Sequence, residues 1–190
     1  EAMGIDLLAF SGHKALLGPP GTGGLYVGSR ATVGPWREGG TGGDSATPVQ
    51  PAEFPFALEG GTPNTVGLVG LGAALKTLDP PATLAHERAL LADLMGRVED
   101  HPAMTAVGSA PLSRRVGVLS IRLNGYSPEE AAAVLDESFD ICVRGGLHCA
   151  PLTHRALGTY PDGTIRIAPG PMTTPEHMTA LWKGLCQMCQ

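Results

Sequence analysis

The chain is poor in charge: only 16% of its 190 residues are Asp, Glu, Lys or Arg, and the net charge is −5. No run of five or more basic residues occurs, so neither nucleic acid nor an anionic membrane is indicated as a partner. Long hydrophobic runs are absent too. The longest candidate, 66–75, is too short to span a bilayer and contains Gly67, Gly70 and Gly72. Cysteine is scarce, with four residues, which is no disulfide framework; a reducing, cytoplasmic setting is the default expectation. Position 1 is Glu rather than Met, no signal-peptide pattern opens the chain, and a strand is expected from Ile5. The chain therefore reads as a piece of a longer protein. What it has in quantity is apolar residues, 43%, with 27 glycines and 17 prolines spread throughout, the composition of a loop-rich α/β protein with a real core.

The apolar stretch Ile5–Phe10 predicts a buried strand, and Gly24–Gly28 a second. Thr62-Pro63 offers an N-cap and a first-turn proline for a helix running to Leu78, apolar nearly all round and so expected to be buried. Asp79-Pro80-Pro81 ends it and marks a boundary, giving one domain over 1–79 and a second, α+β, over 80–190. In the second, residues 83–100 place Leu84, Leu91, Leu94, Met95 and Val98 on one helical face. Val116–Leu123 predicts a strand, Ser127-Pro128-Glu129-Glu130 a capping box for a helix through Glu137, and Phe139–Val143 and Thr164–Ala168 two further strands. Thr174-Pro175-Glu176 begins a last helix with Met178, Leu181, Trp182, Leu185 and Met188 on its face.

Two segments carry reactive groups. Ser11-Gly12-His13-Lys14 puts an amine at the carboxyl end of a strand, where α/β sheets bind ligands, with a hydroxyl and an imidazole suited to a phosphate. Arg144-Gly145-Gly146-Leu147-His148-Cys149 puts a thiol beside an imidazole and a guanidinium that can favour the thiolate, and its glycines read as a source of loop mobility. The stretch Gly18-Pro19-Pro20-Gly21-Thr22-Gly23 looks like the start of a P-loop, but Gly24 and Leu25 stand where that motif needs Lys and Ser or Thr, so no nucleotide site is expected. Cys186 and Cys189 have metal-ligand spacing without two further ligands nearby and are expected to pack, with no metal site. Cys142 is expected in the core; His86, His101, His154 and His177 are expected at the surface, and Trp36 and Arg37 at the mouth of a site.

The lysine segment with its Gly-Pro-Pro-Gly-Thr-Gly sequel resembles the cofactor-lysine region of class V aminotransferase-type enzymes. The run Val143–Leu152, followed by Leu157-Gly158-Thr159-Tyr160 and Gly163-Thr164-Ile165-Arg166-Ile167, is similar to the active-site cysteine region of cysteine desulfurases, and Glu59–Thr65 to the loop before their interdomain helix. The whole chain resembles the C-terminal half of a NifS/SufS-like cysteine desulfurase.

That resemblance implies a fold: α/β, the C-terminal part of a fold type I pyridoxal-phosphate transferase large domain plus a small α+β domain. It implies an activity, removal of sulfur from L-cysteine to give L-alanine and an enzyme persulfide, with sulfur mobilisation for purposes such as iron–sulfur cluster assembly. Lys14 would hold pyridoxal 5'-phosphate through a Schiff base and act as the proton carrier. Ser11 and His13 would contact the cofactor phosphate, and Thr62 the phosphate in the partner subunit of a homodimer. Arg166 would clamp the substrate carboxylate, Arg144 and His148 would support the substrate site, and Cys149 would accept sulfur and hand it to an acceptor protein. In the family an aspartate, a histidine and a glutamine contact the cofactor ring. These precede the residue matching Glu1, and Asp6 is not that aspartate. The implied enzyme is thus the longer protein, and the 190 residues alone are expected to bind cofactor poorly or not at all. Two other readings of the same residues remain: a class V aminotransferase or lyase without sulfur transfer, and an inactive chain serving dimerisation or as a scaffold.

Overall fold

A computed structural model describes residues 3–35, 37–40, 46–108 and 110–189. They form two compact units, Glu1–Leu78 and Asp79–Gln190.

In the first unit, β1 (Leu7–Ser11) pairs antiparallel with β2 (Gly23–Val27), from Leu7 opposite Val27 to Ser11 opposite Gly23. The connection folds back on itself. Gly12 N–H donates to Thr22 O at 2.8 Å, Gly18 N–H to Gly12 O at 2.8 Å, and Leu17 N–H to Lys14 O at 2.9 Å. Helix α1 (Thr65–Thr77) seals that fold, because Leu71 lies where a Cβ on Gly12 or Gly18 would stand, at 3.1 and 2.6 Å.

Two expectations fail in this unit. The helix is capped by Asn64, not Thr62: the Asn64 side chain accepts from Gly67 N–H at 3.1 Å and its amide donates to Gly21 O at 3.4 Å. A side chain that satisfies an orphan donor and also ties the helix start to the β1–β2 connection outcompetes one that only caps. And the apolar elements are not buried. Leu7, Leu8 and Phe10 on β1 are 42–52% exposed and Val66 and Val69 on α1 more so, with only Gly67 and Leu71 of the helix buried. Two strands and one helix give each apolar face too little to pack against.

The second unit has a core of its own. Strands β3 (Met104–Val107), β4 (Leu119–Leu123) and β5 (Ile165–Ile167) form an antiparallel sheet in the order β3-β4-β5. Alternate strand residues Leu119, Ile121, Leu123, Ile165 and Ile167 face a buried cluster shared with Leu91, Leu94 and Val98 of α2 (Pro80–Asp100), Ala131 and Leu135 of α3 (Pro128–Phe139), and Leu181 and Leu185 of α5 (Pro175–Met188). A short helix, α4 (Pro151–Ala156), precedes β5. The Ser127–Glu130 box caps α3 and Thr174 caps α5, as the sequence predicts, while Asp79, read from the sequence only as the end of the preceding helix, caps α2. The predicted strand at 139–143 does not form. Asp140 takes a left-handed conformation that stops α3, and the chain joins the sheet only at Arg144. Ile141 and Val143 pack on the core and Cys142 between them points outward and is exposed, which corrects its expected core placement. No described helix is long and apolar enough to cross a membrane.

Candidate active site

In the first unit the candidate cofactor residues stand at the carboxyl end of β1. Ser11 ends the strand, His13 follows in the turn after it, and Lys14 begins the next turn, its carbonyl accepting from Leu17 N–H. All three side chains are exposed, and no hydrogen bond or ion pair to another described residue occupies the Ser11 hydroxyl, the His13 ring or the Lys14 amine. Thr62 is exposed in the bend before α1 and equally unengaged. A hydroxyl, an imidazole and an amine, all free within four consecutive residues, are a donor set that fits a phosphate beside an aldehyde, so these residues fit pyridoxal phosphate. Trp36 lies outside the described residues; Arg37 is exposed.

In the second unit the candidate thiol is held by an extension of the sheet. Arg144 and Gly146 pair antiparallel with Arg166 and Thr164: Arg166 N–H to Arg144 O at 2.8 Å, Arg144 N–H to Arg166 O at 3.4 Å, and reciprocal Gly146–Thr164 bonds at 3.1 Å. Residues opposed across an antiparallel ladder project to the same side. Ile165 and Ile167 face the helical core, so Arg166 between them faces away, and Arg144 opposite it shares that open face. Cys149 is on that side too, exposed, with Arg144 Nη2 donating to its Sγ at 3.6 Å.

The thiol sits in a strained turn. Ala150 N–H donates to Leu147 O at 2.8 Å, and both central residues are left-handed, His148 at φ 52° and Cys149 at φ 61°. Turns of that kind favour Asn and Gly. His and Cys there cost roughly 1–2 kcal/mol each. The His148 ring bridges the strain to β5, its Nε2 lying 3.0 Å from Thr164 O and 3.3 Å from Thr164 Oγ1. A carbonyl oxygen only accepts, so Nε2 carries the proton. Nδ1 is buried and has no hydrogen-bond partner among the described residues. Burial, then the Arg166 guanidinium, lower the His148 pKa, with lesser contributions from His154 and Arg144 against a Thr164 bond that raises it. His148 is therefore a neutral ring near neutral pH. It brings no cationic charge to the thiol, which corrects the expectation that it joins Arg144 in doing so.

The glycines of the segment are packing residues, not hinges. A Cβ on Gly145 would lie 2.5 Å from the Pro128 carbonyl carbon and 2.7 Å from Glu129 N, and one on Gly163 would meet the Gly146 carbonyl, so the segment is wedged between α3 and β5. Two further residues escaped the sequence reading. His154, expected at the surface, is 5% exposed, with Nδ1 2.7 Å from Thr159 Oγ1 and its ring 5.6 Å from that of His148. Thr159 in turn accepts from Gly163 N–H at 2.6 Å and so shapes the approach to β5. On a helix as short as α4 no periodicity marks His154 as inward-facing; the only signal was its place between the cysteine segment and Gly163-Thr164. His86 and His101 are half-buried as well, His86 Nε2 lying 2.8 Å from Thr173 O and His101 packing edge-on to Trp182. Of the four histidines expected at the surface, only His177 is exposed, and it closes the α5 capping box. Of the other thiols, Cys189 packs against the core, pushed up by burial, and Cys142 is raised by the neighbouring Asp136 carboxylate.

With this geometry in view, comparison with known proteins is decisive about kinship. The profile of the aminotransferase class-V family matches residues 1–181. The chain belongs to that family. Among its relatives, a probable cysteine desulfurase of Methanothermobacter thermautotrophicus is 32% identical over 97% of this chain and 48% of its own length. A cysteine desulfurase of Synechococcus elongatus is 37% identical over 95% of this chain and 29% of its own. The crystal structure of a cysteine desulfurase from Escherichia coli superposes with a TM-score of 0.84 at 29% identity, covering 98% of this chain and 46% of that one. The class-V chain thus spans about half the length, or less, of the relatives it matches. Its fold is the one expected from the resemblance: mixed α/β, part of a fold type I transferase.

Proposed function

We propose that the protein containing this chain is a pyridoxal-phosphate-dependent cysteine desulfurase. The observation that carries this reading is an exposed Cys149 thiol with Arg144 donating to its sulfur, on the sheet face that also bears Arg166, in a chain whose named relatives are cysteine desulfurases. When bound, pyridoxal phosphate supplies the electron sink that makes the substrate Cα acidic. The residues of this chain do the rest. Lys14 holds the cofactor and carries the Cα proton; Ser11 and His13 bind its phosphate, and Thr62 reaches the phosphate in the partner subunit of a homodimer. Arg166 pairs with the carboxylate of L-cysteine, a task suited to a planar bidentate donor. Cys149 attacks the substrate sulfur as the thiolate; an S–S bond forms, the substrate C–S bond breaks with its electron pair left on carbon, and that carbon takes up a proton to become the methyl of L-alanine. Arg144, already a donor to Sγ, orients the attacking sulfur. The persulfide then passes to an acceptor protein, in a cytoplasmic setting where free thiols persist and where iron–sulfur cluster assembly consumes sulfur.

In this proposal the large-domain remainder ends at 79 and the small domain begins at 80, and the contacts to the cofactor ring come from the half of the enzyme outside this chain. The test uses the whole cofactor-loaded protein with L-cysteine. Mass spectrometry is expected to find alanine formed together with a 32 Da gain confined to the Cys149 peptide (roughly one sulfur atom), and none in Cys149→Ser. Alanine formation undiminished in that variant would overturn sulfur acceptance by Cys149 and favour a lyase. For the chain alone, absorbance titration with pyridoxal phosphate is expected to give no stable band that depends on Lys14.

A further inference from the structure

Cys149 is the second of two left-handed residues in the Leu147–Ala150 turn, and nothing in its own side chain pays for that conformation. What holds the turn is its neighbour. The His148 ring reaches to the start of β5, where the Thr164 carbonyl accepts two donors, Gly146 N–H at 3.1 Å and His148 Nε2 at 3.0 Å. One bond fixes the base of the segment and the other fixes its tip, so the same buried carbonyl anchors both. Thr164 is itself 1% exposed, and the approach to it is set by Thr159 and the buried His154 ring.

We propose that His148 is a positioning residue for sulfur acceptance: its ring, donating from Nε2, clamps the strained Leu147–Ala150 turn to Thr164 and so aims the Cys149 thiol beside Arg144. The proposal rests on the desulfurase reading for its consequence, but the clamp itself is a property of the second unit. His148 touches neither the thiol nor a substrate in this role. It acts through the backbone it holds. The side-chain requirement is narrow: one N–H donor at the Nε2 position. A glutamine amide supplies such a donor and an alanine does not.

The clamp is tested by amide hydrogen exchange at Ala150, whose N–H closes the turn, and by imidazole ¹⁵N shifts, in wild type, His148→Gln and His148→Ala. Wild type is expected to show the Nε2–H tautomer. In His148→Ala the Ala150 amide is expected to exchange about fivefold to tenfold faster, the factor that one net hydrogen bond represents. Core amides such as Ile121 should be unaffected, and His148→Gln should restore the wild-type rate. In the whole cofactor-loaded enzyme, persulfide formation on Cys149 is expected to follow the same order, slowed in His148→Ala with L-cysteine binding retained and recovered in His148→Gln. An Nδ1–H tautomer, an Ala150 rate unmoved by His148→Ala, or a glutamine variant no better than alanine would each overturn the clamp. Loss of persulfide in wild type with the exchange pattern intact would instead refute the desulfurase reading and leave the clamp standing. The tautomer is read on the unmutated protein, so failure of the alanine variant to fold does not remove the test.

Discussion

Adding a single methyl group at Gly145 tests whether the thiol segment is wedged or free. Gly145 has an ordinary backbone conformation, so alanine there meets no conformational penalty and its cost is steric alone. The new Cβ would stand 2.5 Å from the Pro128 carbonyl carbon and 2.7 Å from Glu129 N, against ordinary contact distances from 3.4 Å upward. Both neighbours are backbone atoms in the first turn of α3, so no side chain can swing aside, and the segment and the helix must part by about 1 Å at the contact. On the other side the segment is tied to β5 through the Arg144–Arg166 and Gly146–Thr164 bonds, which would stretch as it moves. Overpacking of this kind costs about 1–3 kcal/mol. Gly125→Ala is the matched control: its φ of 86° is left-handed but nothing lies within 4 Å of the new Cβ, so it reports conformation without crowding, a cost of about 1–2 kcal/mol. Gly163→Ala combines a φ of 84° with collision against the Gly146 carbonyl and should exceed both. The assay is urea unfolding followed by exchange at core amides of the second unit, with the Ala150 amide as the local reporter. Gly145→Ala should destabilise the unit and loosen Ala150, whereas Gly125→Ala should leave Ala150 protected. A Gly145→Ala protein as stable as wild type, with Ala150 equally protected, would refute the wedge and restore the reading of these glycines as hinges.

Three further outcomes follow from the same structure. His148 has its pKa lowered, by burial first and then by the Arg166, His154 and Arg144 groups around it, so the unfolded chain takes up its proton before the folded one does. The stability its neutral form contributes is therefore complete above its ordinary value near 6.5 and lost as pH falls from there through the lower folded value. Ala150 protection, corrected for intrinsic exchange, should decline in that window in wild type and not in His148→Gln. Ser127→Ala removes the acceptor for Glu130 N–H and should cost about 0.5–2 kcal/mol in the urea assay. Because α3 backs the Gly145 wedge, a loosening of Ala150 should accompany it. Asn64→Ala removes both the α1 cap and the bond to Gly21, and a loss of about 1 kcal/mol should appear as faster exchange at Gly67 with the second unit unchanged.

How far each feature was legible depended on the range of the interaction behind it. The caps of α3 and α5 are contacts within three or four residues, and Ser127-x-x-Glu130 and Thr174 announce them; Asp79 caps α2 just as locally but was read only as the end of the helix before it. The inward faces of α2 and α5 follow from helical period. Strand β3 went unseen: four residues, Met104–Val107, carry too little pattern to distinguish it from a loop. The expected cap Thr62 lost to Asn64 because Asn64 also reaches Gly21, a partner 43 residues away that no local rule contains. Likewise the apolar character of β1 and α1 predicted burial, but composition states only that a face is apolar and not whether anything covers it.

Kinship and the candidate reactive groups were thus legible in the sequence alone: an amine after a strand, a thiol following an arginine and a histidine, and motif order tied to one family. These depend on residue identity and spacing, which the chain carries whatever its shape. Tertiary structure alone decided the state and duty of the groups around the thiol. It put Arg144 and Arg166 on one sheet face by pairing residues 22 apart. It made His148 a neutral clamp through Thr164, buried His154, and turned Gly145 from a hinge into a wedge. Protonation, burial and close approach are set by which atoms meet in space, and here the deciding partners, Pro128, Thr159 and Thr164, come from α3 and from the approach to β5 rather than from the residues flanking the cysteine.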